Sequence, residues 1–133
     1  MSPQINLDSV RAFLGGPNRA VLATLGPTGG PHVVVVDYLV LNDALLLNGR
    51  RDRRWVANLR QDPRATALVH DPHVVQHWVS VGGSVELVRE GDDASIEDAK
   101  TMSRRYGDDP EQFNGQHRVT WRLVPERVFE RTT

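Results

Sequence analysis

The sequence predicts a mainly β protein, a β-barrel with a few flanking helices, and two observations support this. Short apolar runs rich in β-branched residues recur along the chain, and turn-forming glycine, proline, asparagine and aspartate residues separate them. Helical spacing of apolar residues is confined to a few short segments. Short turns between successive strands favour an antiparallel sheet closed into a barrel over a sandwich. The length fits a single domain, 1–133.

The first part of the chain is predicted to contain one helix and three strands. A glycine pair ends the helix, whose apolar residues recur at helical spacing: Leu7, Val10, Phe13 and Leu14. Turns rich in glycine, proline and asparagine separate the strands, which are predicted at Ala20–Leu25, Val33–Leu41 and Ala44–Asn48.

Residues 49–64 form an arginine-rich segment that contains one short predicted helix with Asp52 as its expected N-cap. Arg51, Arg53 and Arg54 crowd the start of this helix, where free backbone N–H groups and the helix dipole already favour an anion. Guanidinium groups match the geometry of phosphate oxygens. The segment therefore predicts a site for a phosphate-bearing ligand, with a solvated helix face making surface ion pairs as the alternative.

The rest of the chain adds one helix and further strands. The helix is predicted from Asp92 to Tyr106, and Gly82-Gly83 predicts a bulge or a close backbone approach within a strand. The strands are predicted at Ala65–Val69, Val74–Val88, Arg118–Val124 and Arg127–Glu130, the last two separated by Pro125.

Composition narrows the classes of function. The formal net charge of -1 argues against a general nucleic-acid binder, so the arginine-rich segment is a local feature. The absence of cysteine excludes disulfides, thiolate metal sites and cysteine nucleophiles within this sequence. Neither a leader-like start nor a membrane-spanning run is found, so no membrane partner is expected and the expected location is cytoplasmic.

Several short motifs occur in a recognisable order. They are Ala20-Val-Leu-Ala-Thr24, Gly-Gly-Pro-His at 29–32, Leu45-Leu-Leu-Asn-Gly49, Asn58-Leu-Arg-Gln-Asp-Pro-Arg64 and Gly83-Ser-Val-Glu-Leu87. In this order the sequence resembles the split β-barrel, FMN-binding-like family related to pyridoxamine 5′-phosphate oxidase. It is most similar to the short members that use the deazaflavin coenzyme F-420. The resemblance covers about residues 7 to 130.

The resemblance implies an oxidoreductase that binds F-420, or FMN as the nearest alternative, and passes hydride to or from a small conjugated substrate. The chain lacks the arginine- and histidine-bearing tail of the true pyridoxamine 5′-phosphate oxidases, so oxidation of vitamin B6 is not expected. Two other functions stay open. One is a flavin or haem binding or sensor protein without turnover, and the other is a scaffold that has lost its cofactor.

In this family the end of a strand and the following helix hold the cofactor phosphate. The resemblance therefore implies that Arg53 and Arg54 bind the cofactor phosphate, with Arg51 assisting. Trp55 stands where the family usually has a lysine, and Arg53 is the expected source of the second charge. Core packing is favoured over ring stacking for Trp55.

The resemblance also assigns contacts to the rest of the cofactor. Asn48 and Gly49 are expected to approach it, and the strand containing Val34 and Val36 to lie along its ring and contact it through backbone groups. The family is homodimeric, with each cofactor between two subunits, so Trp78 is expected from the partner chain. No side chain is assigned as a catalytic acid or base.

The histidines do not predict a metal site. His70, His73 and His77 have a His-x2-His-x3-His spacing, but Asp71-Pro72 interrupts the loop and no carboxylate has clear ligand spacing. The favoured interpretation is an exposed loop, or one histidine of the three that touches the cofactor or substrate. Asp37 interrupts a valine run, so it is expected either to be paired or to face the ligand cleft.

Overall fold

The structure, a computed structural model, describes residues 7–131 and contains a seven-stranded antiparallel sheet. The strands are β1 (Ala20–Leu25), β2 (Pro31–Val36), β3 (Tyr38–Val40), β4 (Leu45–Arg50), β5 (Arg64–His70), β6 (Trp78–Glu90) and β7 (Arg118–Arg131). The helices are α1 (Arg11–Leu14), α2 (Arg54–Gln61) and α3 (Asp93–Arg105), and Pro110–Phe113 forms a 3-10 turn. The predicted mainly β class is confirmed.

The strand order forces the sheet to curl. The order is β2-β1-β5-β6-β7-β4-β3, so β2 and β3 lie at opposite ends. Yet Asp37 alone separates these two strands along the chain. Because one residue cannot span the width of an open sheet, the two ends must come together. The result is a split barrel whose seam lies at Asp37.

The core lies inside this curled sheet and is closed by helices. Inward-facing residues alternate along β1, where Ala20, Leu22 and Thr24 are buried and their neighbours are half-buried. Leu14 of α1 and Leu59 of α2 belong to the same buried cluster. Within residues 7–131, no helix is long and apolar enough to cross a membrane.

The predicted strand Val33–Leu41 is in fact two strands, because Asp37 interrupts it. The Asp37 carboxylate accepts a hydrogen bond from Arg19 Nε at 2.8 Å. This ion pair lies at the surface of the seam, where the chain leaves β2 and enters β3. The carboxylate is therefore paired, as one of the two expectations for Asp37 required.

The predicted break at Pro125 is wrong, because β7 runs through it without interruption. Pro125 lies opposite Gly83, where the register between β6 and β7 shifts. A bulge tolerates a residue without an N–H, so the strand continues. A Cβ on Gly83 would lie 1.9 Å from the Val124 carbonyl oxygen, which explains why glycine stands there. The predicted bulge at Gly82-Gly83 is confirmed.

The predicted start of β6 at Val74 is also wrong, because the strand begins at Trp78. The Asp71 carboxylate accepts hydrogen bonds from the backbone N–H groups of His73 and Val74, at 2.8 and 3.2 Å. The His77 N–H donates to the Val74 carbonyl. These bonds hold the segment as a turn, which the apolar pair at 74–75 does not reveal in sequence.

Arg105 joins α3 to the seam and to α1. Its guanidinium donates hydrogen bonds to the backbone carbonyls of Tyr38, Leu14 and Gly16. It also stacks over the Tyr38 ring, 4.5 Å from the ring centroid. One cation thus satisfies carbonyls that the short helix α1 leaves unpaired, and fixes α3 against the barrel.

Replacing this cation should destabilise the fold. We expect Arg105→Ala to lower the free energy of unfolding by about 2–4 kcal/mol, because three charge-assisted hydrogen bonds and the ring contact are lost. Urea denaturation measures the change. The control is Arg104→Ala on the same helix, which removes only an exposed ion pair with Glu97 and should have little effect. Equal stability of the two variants would contradict the role given to Arg105.

Candidate functional site

A cavity of about 200 Å³ lies where the seam, the end of β4, the start of α2, α3 and the start of β7 meet. Five of the site residues predicted from sequence line it, namely Val36, Asn48, Gly49, Arg53 and Trp55. These residues come from three separate elements, β2, β4 and the segment that opens α2. The curled sheet is what brings them to one place.

Three arginines line the cavity: Arg50, Arg53 and Arg118. Arg50 is paired with Asp52 at 2.8 Å, whereas Arg53 and Arg118 form no ion pair within residues 7–131. Burial, followed by the charges of Arg50 and Arg53, lowers the pKa of Arg118 to about 10. A lowered arginine pKa indicates positive charge that is not fully compensated. Asp37 also lines the cavity, as the second expectation for it required, but its carboxylate is paired with Arg19. The excess of positive charge therefore favours an anion.

Arg118 is held in a fixed orientation. Its Nε donates to Asn48 Oδ1 at 2.9 Å, and its Nη1 donates to Gln116 Oε1 at 2.8 Å. The guanidinium also lies over the Phe113 ring, 4.8 Å from the centroid. Nothing in the sequence near Arg118 predicts that it lines the cavity. It reaches the cavity because β4 pairs with β7, with Arg50 opposite Arg118, and no local motif signals that pairing.

Trp55 forms an apolar wall of the cavity and is only 4% exposed. Its ring lies against the backbone of Gly49, where an added Cβ would come within 2.3 Å of Trp55 Cζ2. This is the core packing that sequence favoured for Trp55. Positive charge reaches the cavity instead through Arg53 and Arg118.

The predicted N-cap at Asp52 is wrong. The N-cap of α2 is Arg53, in an extended conformation, and no side chain among residues 7–131 caps the helix. The Asp52 carboxylate instead accepts two hydrogen bonds from Arg50, at 3.0 and 2.8 Å. Because Arg50 binds the Asp52 carboxylate, that carboxylate does not cap the backbone N–H groups in the first turn of α2. Uncapped N–H groups at the start of a helix can bind an anion.

The remaining predicted site residues lie outside the cavity. Val34 is half-buried and packs against the core. Arg51 lines a neighbouring hollow of about 330 Å³ with Asp52 and His117. Arg54 is exposed at the start of α2. The structure thus brings Arg53 to the cavity, with Arg51 beside it.

Trp78 lies elsewhere, on the outer face of the sheet. It lines an apolar hollow of about 590 Å³ together with Leu68, His70, Val75, Ser80 and Phe129. Trp78 was expected to contact the cofactor bound by a partner subunit. Its position away from the cavity of its own chain therefore does not test that expectation. Among residues 7–131, no group of three or more metal-ligating side chains converges.

Comparison with known proteins places the chain among relatives. Residues 7–132 match the profile of the family described as pyridoxamine 5′-phosphate oxidase. No protein with a curated description matches the sequence significantly.

Several solved structures share the fold. An F420 reductase is 22% identical, with a TM-score of 0.78 over 90% of this chain and 94% of that one. The conserved hypothetical protein Rv2991 from Mycobacterium tuberculosis is 25% identical, with a TM-score of 0.77 over 99% and 85%. HutZ, the haem storage protein from Vibrio cholerae, is 18% identical, with a TM-score of 0.72 over 93% of each chain.

The contact between Gly49 and Trp55 can be tested directly. We expect Gly49→Ala to push the Trp55 ring towards the cavity and to lower the free energy of unfolding by about 1–3 kcal/mol, because the added methyl group overlaps the ring. Urea denaturation gives the stability, and tryptophan fluorescence reports the ring. The control is Gly30→Ala, where an added Cβ meets nothing within 4 Å. An unchanged stability for Gly49→Ala would show that the ring is not packed there.

Proposed function

The chain belongs to the pyridoxamine 5′-phosphate oxidase family, and from that membership we propose that it is an oxidoreductase with a flavin-type cofactor. The preferred cofactor is the deazaflavin F-420, with FMN as the alternative. The reaction is transfer of hydride to or from a small conjugated substrate. The Asn58-Leu-Arg-Gln-Asp-Pro-Arg64 motif supports F-420 over FMN, as does the structural similarity to an F420 reductase.

The observation that carries the proposal is the arginine-lined cavity at the uncapped start of α2. Both cofactors carry a phosphate, and guanidinium groups together with free helix N–H groups bind phosphate. The cavity of about 200 Å³ is smaller than the roughly 300–1,000 Å³ typical of pockets that enclose whole ligands. It therefore fits the phosphate end, with Arg53 as an anchor and Arg51 and Arg54 assisting, and leaves the ring outside.

The strand β2 is a suitable surface for the ring. It is an edge strand of the sheet, so its outer side presents backbone groups that no described strand pairs with. Val35 is 63% exposed and also lines the cavity, so the exposed strand surface and the phosphate site are continuous. Backbone groups around Val34 and Val36 would then bond the edge of the ring.

The protein's part in the chemistry is to bind and orient. When bound, the cofactor supplies the hydride chemistry. The arginines fix the phosphate, Gly49 and Trp55 form the wall behind it, and β2 sets the plane of the ring. Together they hold the ring in one orientation towards the substrate. Fixing the reacting groups in this way lowers the entropic part of the activation barrier. No side chain is needed as an acid or base.

A second copy of the chain would cover the ring. Residues from five adjacent strands lie in one cross-strand row on the outer face of the sheet: Val35, Val21, Leu68, Ser80 and Phe129. Phe129 is 59% exposed and Val35 is 63% exposed, so the row presents apolar surface to water. We propose a homodimer through this face, which brings Trp78 of one subunit towards the cofactor of the other.

Haem binding without turnover is the second candidate. The fold is shared with a haem storage protein, and the outer hollow of about 590 Å³ combines apolar walls with His70. A histidine beside an apolar surface is a usual arrangement for holding haem iron. Haem and the second subunit would occupy the same face, so the two proposals exclude each other there.

Titration with each cofactor separates these functions. Purified protein is titrated separately with F-420, FMN and haem, with fluorescence or absorbance as the signal. We expect F-420 to bind with the lowest Kd, and Arg53→Ala to weaken its binding by about 1–3 kcal/mol, since a charge-assisted phosphate contact is lost. Arg104→Ala, on the outside of α3, is the control. Binding of haem alone would support the carrier, and binding of none would end both cofactor proposals.

The dimer has its own test. We expect Phe129→Glu to convert the dimer to a monomer in sedimentation velocity, because it places a charge on the exposed apolar side chain that ends the row on β7. Glu130→Gln, the next residue along β7, alters a charge without entering the row and should leave the dimer intact. A wild-type protein that sediments as a monomer would contradict the proposed interface.

A further inference from the structure

We propose that Arg118, far in sequence from the arginine-rich segment, is the main anion contact of the cavity, and that Asn48 positions it from behind. This inference rests on the proposed function, since it adds residues to the same phosphate site. It also changes the role of Asn48. That residue, expected to touch the cofactor, becomes a positioning residue that acts through Arg118.

Arg118 is better prepared to bind than the arginines of the helix segment. Arg51, Arg53 and Arg54 are exposed, and their side chains form no hydrogen bond within the described part of the chain. Each must lose side-chain freedom when it binds a ligand. Arg118 has already lost that freedom, because Asn48, Gln116 and the Phe113 ring hold it on separate sides. A preorganised guanidinium contributes more of its interaction energy to affinity.

The orientation of Asn48 is determined by its other partners. Its Nδ2 donates to the Ser95 carbonyl at 2.8 Å and to Thr120 Oγ1 at 3.0 Å. Thr120 Oγ1 in turn donates to Asp98 Oδ2 at 2.7 Å, so towards Asn48 it acts as an acceptor. Since a carbonyl can only accept, the nitrogen of the Asn48 amide must face Ser95. The oxygen is left to face Arg118.

This arrangement connects α3 to the cavity. Asp98 forms an ion pair with Arg89 at 2.9 Å. Ser95 is held in place by the capping box that it forms with Asp92 at the start of α3. Asn48 is only 5% exposed, so water does not compete strongly for its amide. The helix therefore fixes the amide, and the amide fixes the guanidinium.

The neutral amide also preserves the charge of Arg118 for a ligand. A carboxylate in place of Asn48 would neutralise the guanidinium, whereas the amide oxygen satisfies Nε without adding a negative charge. Burial lowers the pKa of Arg118, and repulsion from Arg50 and Arg53 lowers it further. A bound phosphate relieves both costs.

Inorganic phosphate is the probe for this site. Its affinity is measured from the rise in melting temperature with phosphate concentration, at constant ionic strength. The result does not depend on which cofactor the protein binds. We expect Arg118→Met to weaken phosphate binding by at least about tenfold. The control is Arg122→Met, on the same strand, whose guanidinium is paired with Asp43 and Glu86. It should change phosphate affinity by less than about twofold.

Asn48 is tested by a double-variant cycle. If it acts through Arg118, Asn48→Ala should weaken phosphate binding in the wild-type background and have no further effect in the Arg118→Met background. A purely structural role would instead give additive losses, and that result would overturn the positioning role. Should Arg118→Met fail to fold, Arg118→Lys keeps the charge but not the fork, and it should show an intermediate loss.

The outcomes separate this inference from the proposed function. Phosphate affinity that is unchanged in Arg118→Met but lost in Arg53→Ala would overturn the inference and leave the cofactor proposal standing. Phosphate binding that depends on Arg118, in a protein that binds neither F-420 nor FMN, would support the inference and end the cofactor proposal. A wild-type protein that does not bind phosphate would overturn the inference.

Discussion

The connection through Asp37 is the constraint on which the rest of the structure depends. A single residue joins the two end strands of a seven-stranded sheet, so the sheet has to curl until those ends meet. β3 pairs with β4, and β4 pairs with β7. Bringing β2 to β3 therefore also brings β2 to the end of β4 and the start of β7. The cavity is the space that this closure leaves at the seam, and its lining comes from elements that are distant in sequence.

Positive charge in this cavity destabilises the folded protein, so folding alone does not explain why it is there. Arg118 is half-buried without an ion pair in the described residues and lies near Arg50 and Arg53. Packing would be served as well by an apolar side chain, since buried charges seldom improve stability. Under the proposed function a bound anion would supply this compensation, and membership in the pyridoxamine 5′-phosphate oxidase family supports a phosphorylated cofactor as that anion. On this account the site gives up some stability to gain affinity.

Sequence predicted the features that depend on local pattern. The mainly β class, the bulge at Gly82-Gly83, the helix that becomes α3 and the family were all recognised, because alternation, glycine placement and ordered motifs are local signals. Arg53 was predicted from a local signal too, because it lies beside a predicted helix start, and it lines the cavity. Arg118 was not predicted to lie there, because strand pairing between residues far apart in the chain brings it to the cavity. The N-cap at Asp52 failed because a neighbouring arginine competes for the same carboxylate.

The most direct test of the account is a crystal structure of the protein with F-420 bound, or with FMN if F-420 does not bind. We expect the cofactor phosphate in the cavity, within hydrogen-bonding distance of both Arg53 and Arg118. We also expect the ring along β2 and a second subunit over the outer face of the sheet. A phosphate bound away from these two arginines, or a cofactor ring in the apolar hollow beside Trp78 of its own chain, would contradict it.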